Sequence, residues 1–449
     1  MASQKVTEWR KLPISLTELC IETTLRCGQS FRWRKINEQW HCVLKGRLIS
    51  LKQDPTHLHY KVTWPTSTAT PKNEHPQDFE DDTSVLLHNY FALSHSLTTL
   101  YAQWSLSDAN FARRAPAFTG IRILNQDAWE TLISFICSSN NNISRISQMV
   151  LKLCTHYGPY VATVEGEAFH DFPGPEALAG EGVEAHLREL GFGYRAKYIA
   201  ETAGCVAQVY GERWLLRLRN PGVPALRAAE EDILVKKEEG AEEKESVESK
   251  ADLDNPPTYQ KAHEALLTLP GVGPKVSDCV CLMGLGWGES VPIDTHVWQI
   301  AQRDYNFGGK GSAKTKTLNK AMYVAVGDHF RKIWGPQAGW AQSVLFTANL
   351  KSFSEQAAGV EKKRVVKVEE ESQEEMVTTA EVVPKPGKNK GVVVKIEESE
   401  EMAATTSVAM SRKRKTVAAE VIPKAEPDAT VQTTTTRTLR SSKRIKSQV

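Results

Sequence analysis

Residues 269–281 read L-P-G-V-G-P-K-V-S-D-C-V-C. The run Y-Q-K-A-H-E-A-L-L-T-L at 259–269 has helical periodicity, and P-K-V-S-D-C-V-C-L-M opens a second helix. Pro274 suits the first helical position, where its missing N–H would be unpaired in any case. Gly271 and Gly273 permit positive φ and bare the backbone N–H groups of the turn between the helices. Such a helix–hairpin–helix can offer those donors to a DNA phosphate without reading sequence. An ordinary helix turn is the alternative. Lys275 falls in the first helical turn, where the macrodipole disfavours positive charge. It either contacts phosphate or belongs to a site that wants a neutral amine, a nucleophile able to form a Schiff base with a sugar C1′.

Nineteen residues after the lysine comes Asp294, within V-P-I-D-T-H-V-W (291–298). Asp294 precedes an apolar-periodic helix and can be simply its N-cap. A carboxylate beside the same hairpin can also stabilise a positively charged sugar, orient a nucleophile and relay protons. His296 reads as a core residue or, preferably, as a phosphate donor.

Outward from this centre the chain divides by composition. Its 449 residues exceed the usual size of one core. From 30 to about 65, S-F-R-W-R, Q-W-H-C-V-L, R-L-I-S-L and L-H-Y-K-V-T-W read as short strands of a small antiparallel sheet. Residues 67–81 read as a loop. From about 83 helical periods take over, with further helices expected at 144–156, 182–190, 194–209, 259–268, 275–286, 295–303, 317–330 and 337–349. The expected fold is α+β. It comprises an N-terminal β-rich domain over 1–110, a helical region over 111–355 and a disordered charged tail over 356–449.

The net charge of +2 conceals two biased segments. Residues 231–254 hold ten acidic and four basic residues and read as a surface insertion or disordered loop. The tail has no aromatic residue. Residues 361–449 carry eighteen basic and fourteen acidic residues, including K-K-R (362–364), R-K-R-K (412–415) and K-R-I-K (443–446). These clusters read as nuclear import signals or weak DNA tethers, against bland solubilising charge. The two V-K-x-E copies, at 366–369 and 394–397, look like acceptor sites for a small protein modifier. The remainder is mildly basic, compatible with an anionic partner. The eight cysteines form no C-x-x-C pair and no zinc spacing, which predicts free intracellular thiols and no metal. No run approaches eighteen apolar residues, so no membrane span is expected.

Six stretches in order resemble the helix–hairpin–helix DNA glycosylase/lyases, specifically the eukaryotic 8-oxoguanine DNA glycosylase family. They are C-G-Q-S-F-R-W-R (27–34), F-I-C-S-S-N-N-N-I-S-R-I (135–146), L-G-F-G-Y-R-A-K-Y (190–198), L-P-G-V-G-P-K-V-S-D-C-V-C-L-M (269–283), V-P-I-D-T-H-V-W (291–298) and W-G-P-Q-A-G-W-A-Q-S-V-L-F (334–346). The resemblance spans about residues 10–350. The acidic insertion and the long tail depart from the compact family pattern, and neither removes a motif. Some relatives carry a four-cysteine iron–sulfur loop after the catalytic helices; this chain has no cysteine after 281, so no cofactor is expected.

The resemblance implies a glycosylase that is also a lyase, acting in base excision repair. Lys275 attacks C1′ and remains as the imine, Asp294 supports the developing charge, and β-elimination cuts the strand. It implies an extruded base between Phe346 and Cys279, with Gln342 at its Watson–Crick edge. The Gly28 carbonyl accepts the N7–H that 8-oxoguanine has and guanine lacks. Lys275 and Cys279, four apart, fall on one helical face. Asn140, Arg145 and Arg195 resemble the contacts to the cytosine left behind, and Tyr194 the wedge in the stack. Gly271, Gly273 and His296 face phosphate. Taken singly, each of these residues also has an ordinary reading as core, turn, loop or surface. The partner expected is double-stranded DNA carrying oxidised guanine opposite cytosine, met by a monomer in the nucleus with a mitochondrial pool left open. A glycosylase for another lesion and a non-enzymatic DNA-binding module remain the rival readings.

Overall fold

The computed structural model describes residues 5–65, 81–211, 213–226, 256–308 and 317–353. The acidic insertion, the loop at 67–80 and the tail expected beyond 356 lie outside the described residues.

The N-terminal sheet has five antiparallel strands in the order β1-β5-β4-β3-β2, with β1 Arg10–Pro13, β2 Arg34–Ile36, β3 Gln39–Leu44, β4 Arg47–Gln53 and β5 His57–Thr63. The strand expected at 30–34 begins only at Arg34, because Trp33 turns into the core and donates its indole N–H to the Tyr90 hydroxyl at 2.9 Å. Two-residue hairpins at Asn37–Glu38 and Lys45–Gly46 put both central residues at positive φ, the backbone twist that suits tight antiparallel turns. In β5, Leu58, Tyr60 and Val62 are buried, while His57, His59 and Lys61 alternate with them partly exposed. In β3 and β4 ten of the thirteen residues are buried, among them the polar His41 and Ser50, which hydrogen-bond to each other at 2.9 Å across the pair. A second hairpin, β6 Tyr160–Val164 with β7 Glu167–His170, supplies the cover: Val161, Ala162 and Phe169 form a cluster with Val43 and Leu48. The sequence reading of the helical region did not include this hairpin.

The other face of the sheet packs on the helix Thr83–Tyr90 through Leu86, Leu87 and Tyr90. The larger core is helical and already includes Leu97 and Trp104 from the helix Leu97–Ser107. Two ionic links, the first buried and the second partly exposed, join the N-terminal region to the helices. Arg32 forks onto Glu130 at 2.9 and 2.6 Å, and Lys45 meets the helix cap Asp127 at 2.8 Å. Helices occur at Ala128–Cys137, Ile143–Tyr157, Val183–Glu189, Arg195–Gly204, Tyr259–Leu267, Pro274–Met283, Thr295–Asp304, Lys320–Trp334 and Ala338–Asn349. These agree with the expected helices to within a few residues at each end. The one expected to run to 209 reaches Tyr210 in two parts. It changes to a π-helical stretch at Cys205–Tyr210 and stops at Gly211. Among the described residues no helix is long and apolar enough to cross a membrane.

Candidate active site

The hairpin forms where its residues require it. Gly271 has φ +74°, and a Cβ there would lie 2.6 Å from Cβ of Tyr198, so only glycine fits. Gly273 differs from expectation: it is the extended N-cap of Pro274–Met283 at φ −101°, and a Cβ there would meet nothing. Its contribution is an uncovered backbone at the helix start rather than a left-handed turn.

Lys275 follows Pro274 in the first turn. Its Nζ donates to the Ser138 hydroxyl at 3.1 Å and stands 4.7 Å from the centre of the Phe135 ring. One turn later Cys279 is buried. Burial pushes its thiol up to about 12, while Lys275 acts in the opposite direction. Asp294 caps the helix Thr295–Asp304, its Oδ1 accepting the N–H groups of His296 and Val297 at 2.9 Å each. The cap uses Oδ1 only, and the side chain also faces the cavity that holds Lys275.

That cavity, of about 70 Å³, is lined by Gly28, Lys275, Cys279, Asp294, Gln342 and Phe346, together with Phe135 and Met283. Gly28 comes from the N-terminal region and is held in place by its neighbour. The Gln29 amide donates to the Arg122 carbonyl at 2.8 Å and accepts the Leu124 N–H at 2.9 Å, while Gln126 donates to the Gln29 carbonyl at 3.0 Å. Gly28 adopts φ +83°, and a Cβ there would come within 3.0 Å of Ile143 and 3.9 Å of Phe346. The helix Ala338–Asn349 supplies both Gln342, buried, and Phe346, against whose ring His296 stands edge-on at 5.7 Å.

A second cluster adjoins the first through consecutive residues. Ser138 binds the lysine, while the next carbonyl, of Ser139, accepts from the Tyr194 hydroxyl at 3.1 Å and from Nε of Arg195 at 3.2 Å. A second guanidinium nitrogen of Arg195 also donates to Ser139, and to the Asn140 carbonyl at 3.1 Å. Arg195 is thus buried with its donors engaged by backbone. Tyr194 is half exposed, its ring beneath the guanidinium at 4.6 Å and edge-on to Tyr198 at 6.0 Å. Asn140 has φ +47°, a conformation asparagine tolerates better than most residues. Arg145 is exposed and reaches the Gly191 carbonyl at 3.4 Å. The six pocket residues therefore converge on one cavity, and Asn140, Tyr194 and Arg195 on a neighbouring surface. Arg145 and the glycines flank them.

Ser138 and Phe135 were not singled out in the sequence; the F-I-C-S-S motif contains both, but the contact to Lys275 arises only from helix packing. Asp278 was also missed. It is 1% exposed, and burial raises its carboxyl pKa against the lowering by His263, Tyr259, Tyr323 and Ser290. Among the described residues, no group of three or more His, Cys, Asp or Glu side chains is placed to hold a metal ion.

Known proteins match both halves of this architecture. The family described as 8-oxoguanine DNA glycosylase, N-terminal domain, matches residues 11–132, and the HhH-GPD superfamily of base excision DNA repair proteins matches residues 133–324. The N-glycosylase/DNA lyase of Saccharomyces cerevisiae is 38% identical over 363 residues, covering 76% of this chain and 86% of the yeast protein. The N-glycosylase/DNA lyase of Arabidopsis thaliana is 34% identical over 348 residues, covering 76% of this chain and 80% of its own. The same fold occurs in the Clostridium acetobutylicum 8-oxoguanine glycosylase/lyase, solved with double-stranded DNA containing cytosine opposite the lesion. That likeness has a TM-score of 0.54 at 20% identity and covers 74% of this chain and 91% of that one. With a hairpin lysine and a capping aspartate lining one cavity, and with relatives this similar over most of their length, the chain belongs to the 8-oxoguanine DNA glycosylase/lyase family of the helix–hairpin–helix superfamily.

Proposed function

We infer that this protein is a bifunctional DNA glycosylase and abasic-site lyase that removes 8-oxoguanine opposite cytosine. The observation that carries the reading is the single cavity into which Lys275, Asp294, Gly28, Cys279, Gln342 and Phe346 all open. Chemistry at a glycosidic bond requires the nucleotide to leave the stack, and the extruded base would enter here by widening a cavity that at about 70 Å³ is smaller than a purine needs.

In this reading the Lys275 amine forms a bond to C1′ as the C1′–N9 bond breaks, its electron pair leaving with the base, which takes up a proton. Asp294, with its capping oxygen held by two N–H groups, presents negative charge to the sugar as positive charge develops there. The amine loses its protons as the sugar ring opens, and the imine remains. A proton then leaves C2′, the C3′–O3′ bond breaks with departure of the 3′ phosphate, and water hydrolyses the imine to return Lys275. Ser138, within hydrogen-bond reach of the amine, orients it before attack.

Phe346 and the neutral Cys279 thiol form the faces of the base pocket, and Gln342 addresses the Watson–Crick edge. The Gly28 carbonyl takes the N7–H peculiar to the oxidised base. One such bond limits that discrimination to on the order of a few kcal/mol. Arg145, Arg195 and Asn140 meet the widowed cytosine, Arg195 by exchanging backbone carbonyls for cytosine acceptors, and Tyr194 fills the gap in the stack. Gly271, Gly273 and His296 face phosphate. The basic clusters at 412–415 and 443–446 support a nuclear location.

Base release from defined duplexes tests this reading. Single 8-oxoguanine placed opposite each of the four bases should be excised fastest opposite cytosine, with the strand cut on the 3′ side. Preferential release of an oxidised pyrimidine or an alkylated purine would assign the pocket to another lesion.

A further inference from the structure

Behind the lysine lies a polar cluster that the reaction as described does not use. Asp278 sits three residues after Lys275, on an adjoining strip of the same helix, and is buried. Its Oδ1 accepts from the Tyr259 hydroxyl at 2.6 Å and the Ser290 hydroxyl at 3.0 Å, with His263 Nε2 at 3.5 Å. Its Oδ2 accepts from the Tyr323 hydroxyl. The Tyr323 oxygen in turn accepts the N–H of Ile293 at 3.4 Å, and Ile293 immediately precedes Asp294. Ser290, on the loop leading to that aspartate, shares its one O–H proton between the Asp278 carboxylate and the Asp278 backbone carbonyl, the latter at 2.9 Å. One carboxylate thereby ties the lysine helix to three segments: the first helix of the hairpin through Tyr259, the loop carrying Asp294, and the helix Lys320–Trp334 through Tyr323.

A buried carboxylate is an expensive way to hold helices together, since apolar packing does so without desolvating a charge. Hydrogen bonds add direction: each fixes where its partner stands, and a fully satisfied buried network rigidifies what it joins. One connection from the lysine helix to Asp294 runs through this network, by way of Tyr323 to the Ile293 N–H. We propose that Asp278 and Tyr323 are positioning residues that set Lys275 and Asp294 at their working separation. The proposal rests on the reading of those two residues given above. A lysine that drifts from C1′ loses rate steeply, because attack depends on the bound geometry.

Tyr323→Phe removes one oxygen and keeps the ring, so the core stays filled. The test uses the full chain, single-turnover excision and borohydride trapping on a duplex with 8-oxoguanine opposite cytosine, at a temperature well below the thermal midpoint of every variant. Affinity for a duplex with a tetrahydrofuran abasic analogue is measured alongside. Tyr323→Phe should slow excision and trapping about ten- to hundredfold while affinity for the analogue stays within about twofold. Asp278→Asn should lose at least as much. Tyr259→Phe cuts a bond to the same carboxylate that does not lead to Asp294, and should slow excision no more than about threefold. A purely structural role would lower the thermal midpoint and leave the folded enzyme's rate unchanged. That result for Tyr323→Phe, or an equal loss in Tyr259→Phe, overturns the proposal. Absence of any adduct in the wild type would instead refute the reading of Lys275 on which it rests.

Discussion

Cys279 illustrates how a residue's surroundings fix its chemistry. A thiol four residues from an amine could be taken for a reactive pair, yet burial holds it up near 12 and so protonated at neutral pH. It therefore serves the pocket as a small apolar wall. Iodoacetamide at pH 7.5, followed by peptide mass mapping, should leave Cys279 of the native protein unmodified; rapid alkylation would mean a thiolate. Gly28→Ala should cost about 1–2 kcal/mol for a side chain at positive φ, besides the contact with Ile143. It should appear as a lower thermal midpoint and slower excision, and unchanged values of both would remove Gly28 from the account. The pocket residues were legible because each lies inside a recognisable motif. Asp278 lies in such a motif too, yet its role was not legible: its partners stand 19, 12 and 45 residues away in sequence, so no local spacing announces them.

Among the elements, the helix Ala128–Cys137 links the sheet to the site. At its start Asp127 Oδ1 caps Glu130 N at 2.9 Å while Oδ2 holds Lys45 from the sheet, and just past its end Ser138 holds the lysine. Asp127→Ala should destabilise the protein by about 1–2 kcal/mol, measurable as a shift in the urea midpoint. Burial acts to raise the Asp127 carboxyl, but the Lys45 ammonium, the cap bond and Arg32 outweigh it and hold the group below its ordinary value. A carboxyl depressed on folding contributes stability above its unfolded pKa and loses that contribution as pH falls through the folded value. Stability should therefore decline as the solution is acidified below about pH 4, and Asp127→Asn should flatten that decline in urea titrations at pH 7 to 3. An unchanged acid limb would remove Asp127 from its causes. Helices were readable from their periodicity to within a few residues. The strand Arg10–Pro13 was missed because four residues ending in proline carry almost no alternation. The Tyr160–His170 hairpin hid in a helical neighbourhood: its turn is Glu165–Gly166 rather than the Asn-Gly or Asp-Gly that marks a tight hairpin, and its second strand has only four residues.

For the whole molecule, we propose that the basic clusters of the tail serve nuclear import or DNA tethering rather than excision. Removing residues 361–449 should preserve excision while weakening nuclear import or low-salt affinity for DNA. Excision assays, localisation of the truncated chain and a salt titration of binding check this; complete loss of excision would contradict it. The central claim is that the Lys275 amine itself becomes bonded to the sugar. Borohydride reduction during reaction with a duplex containing 8-oxoguanine opposite cytosine, with Lys275→Gln beside the wild type, tests it most directly. The account predicts a covalent protein–DNA adduct in the wild type and none in the variant; release of the base by the wild type with no adduct would show that water, not Lys275, attacks.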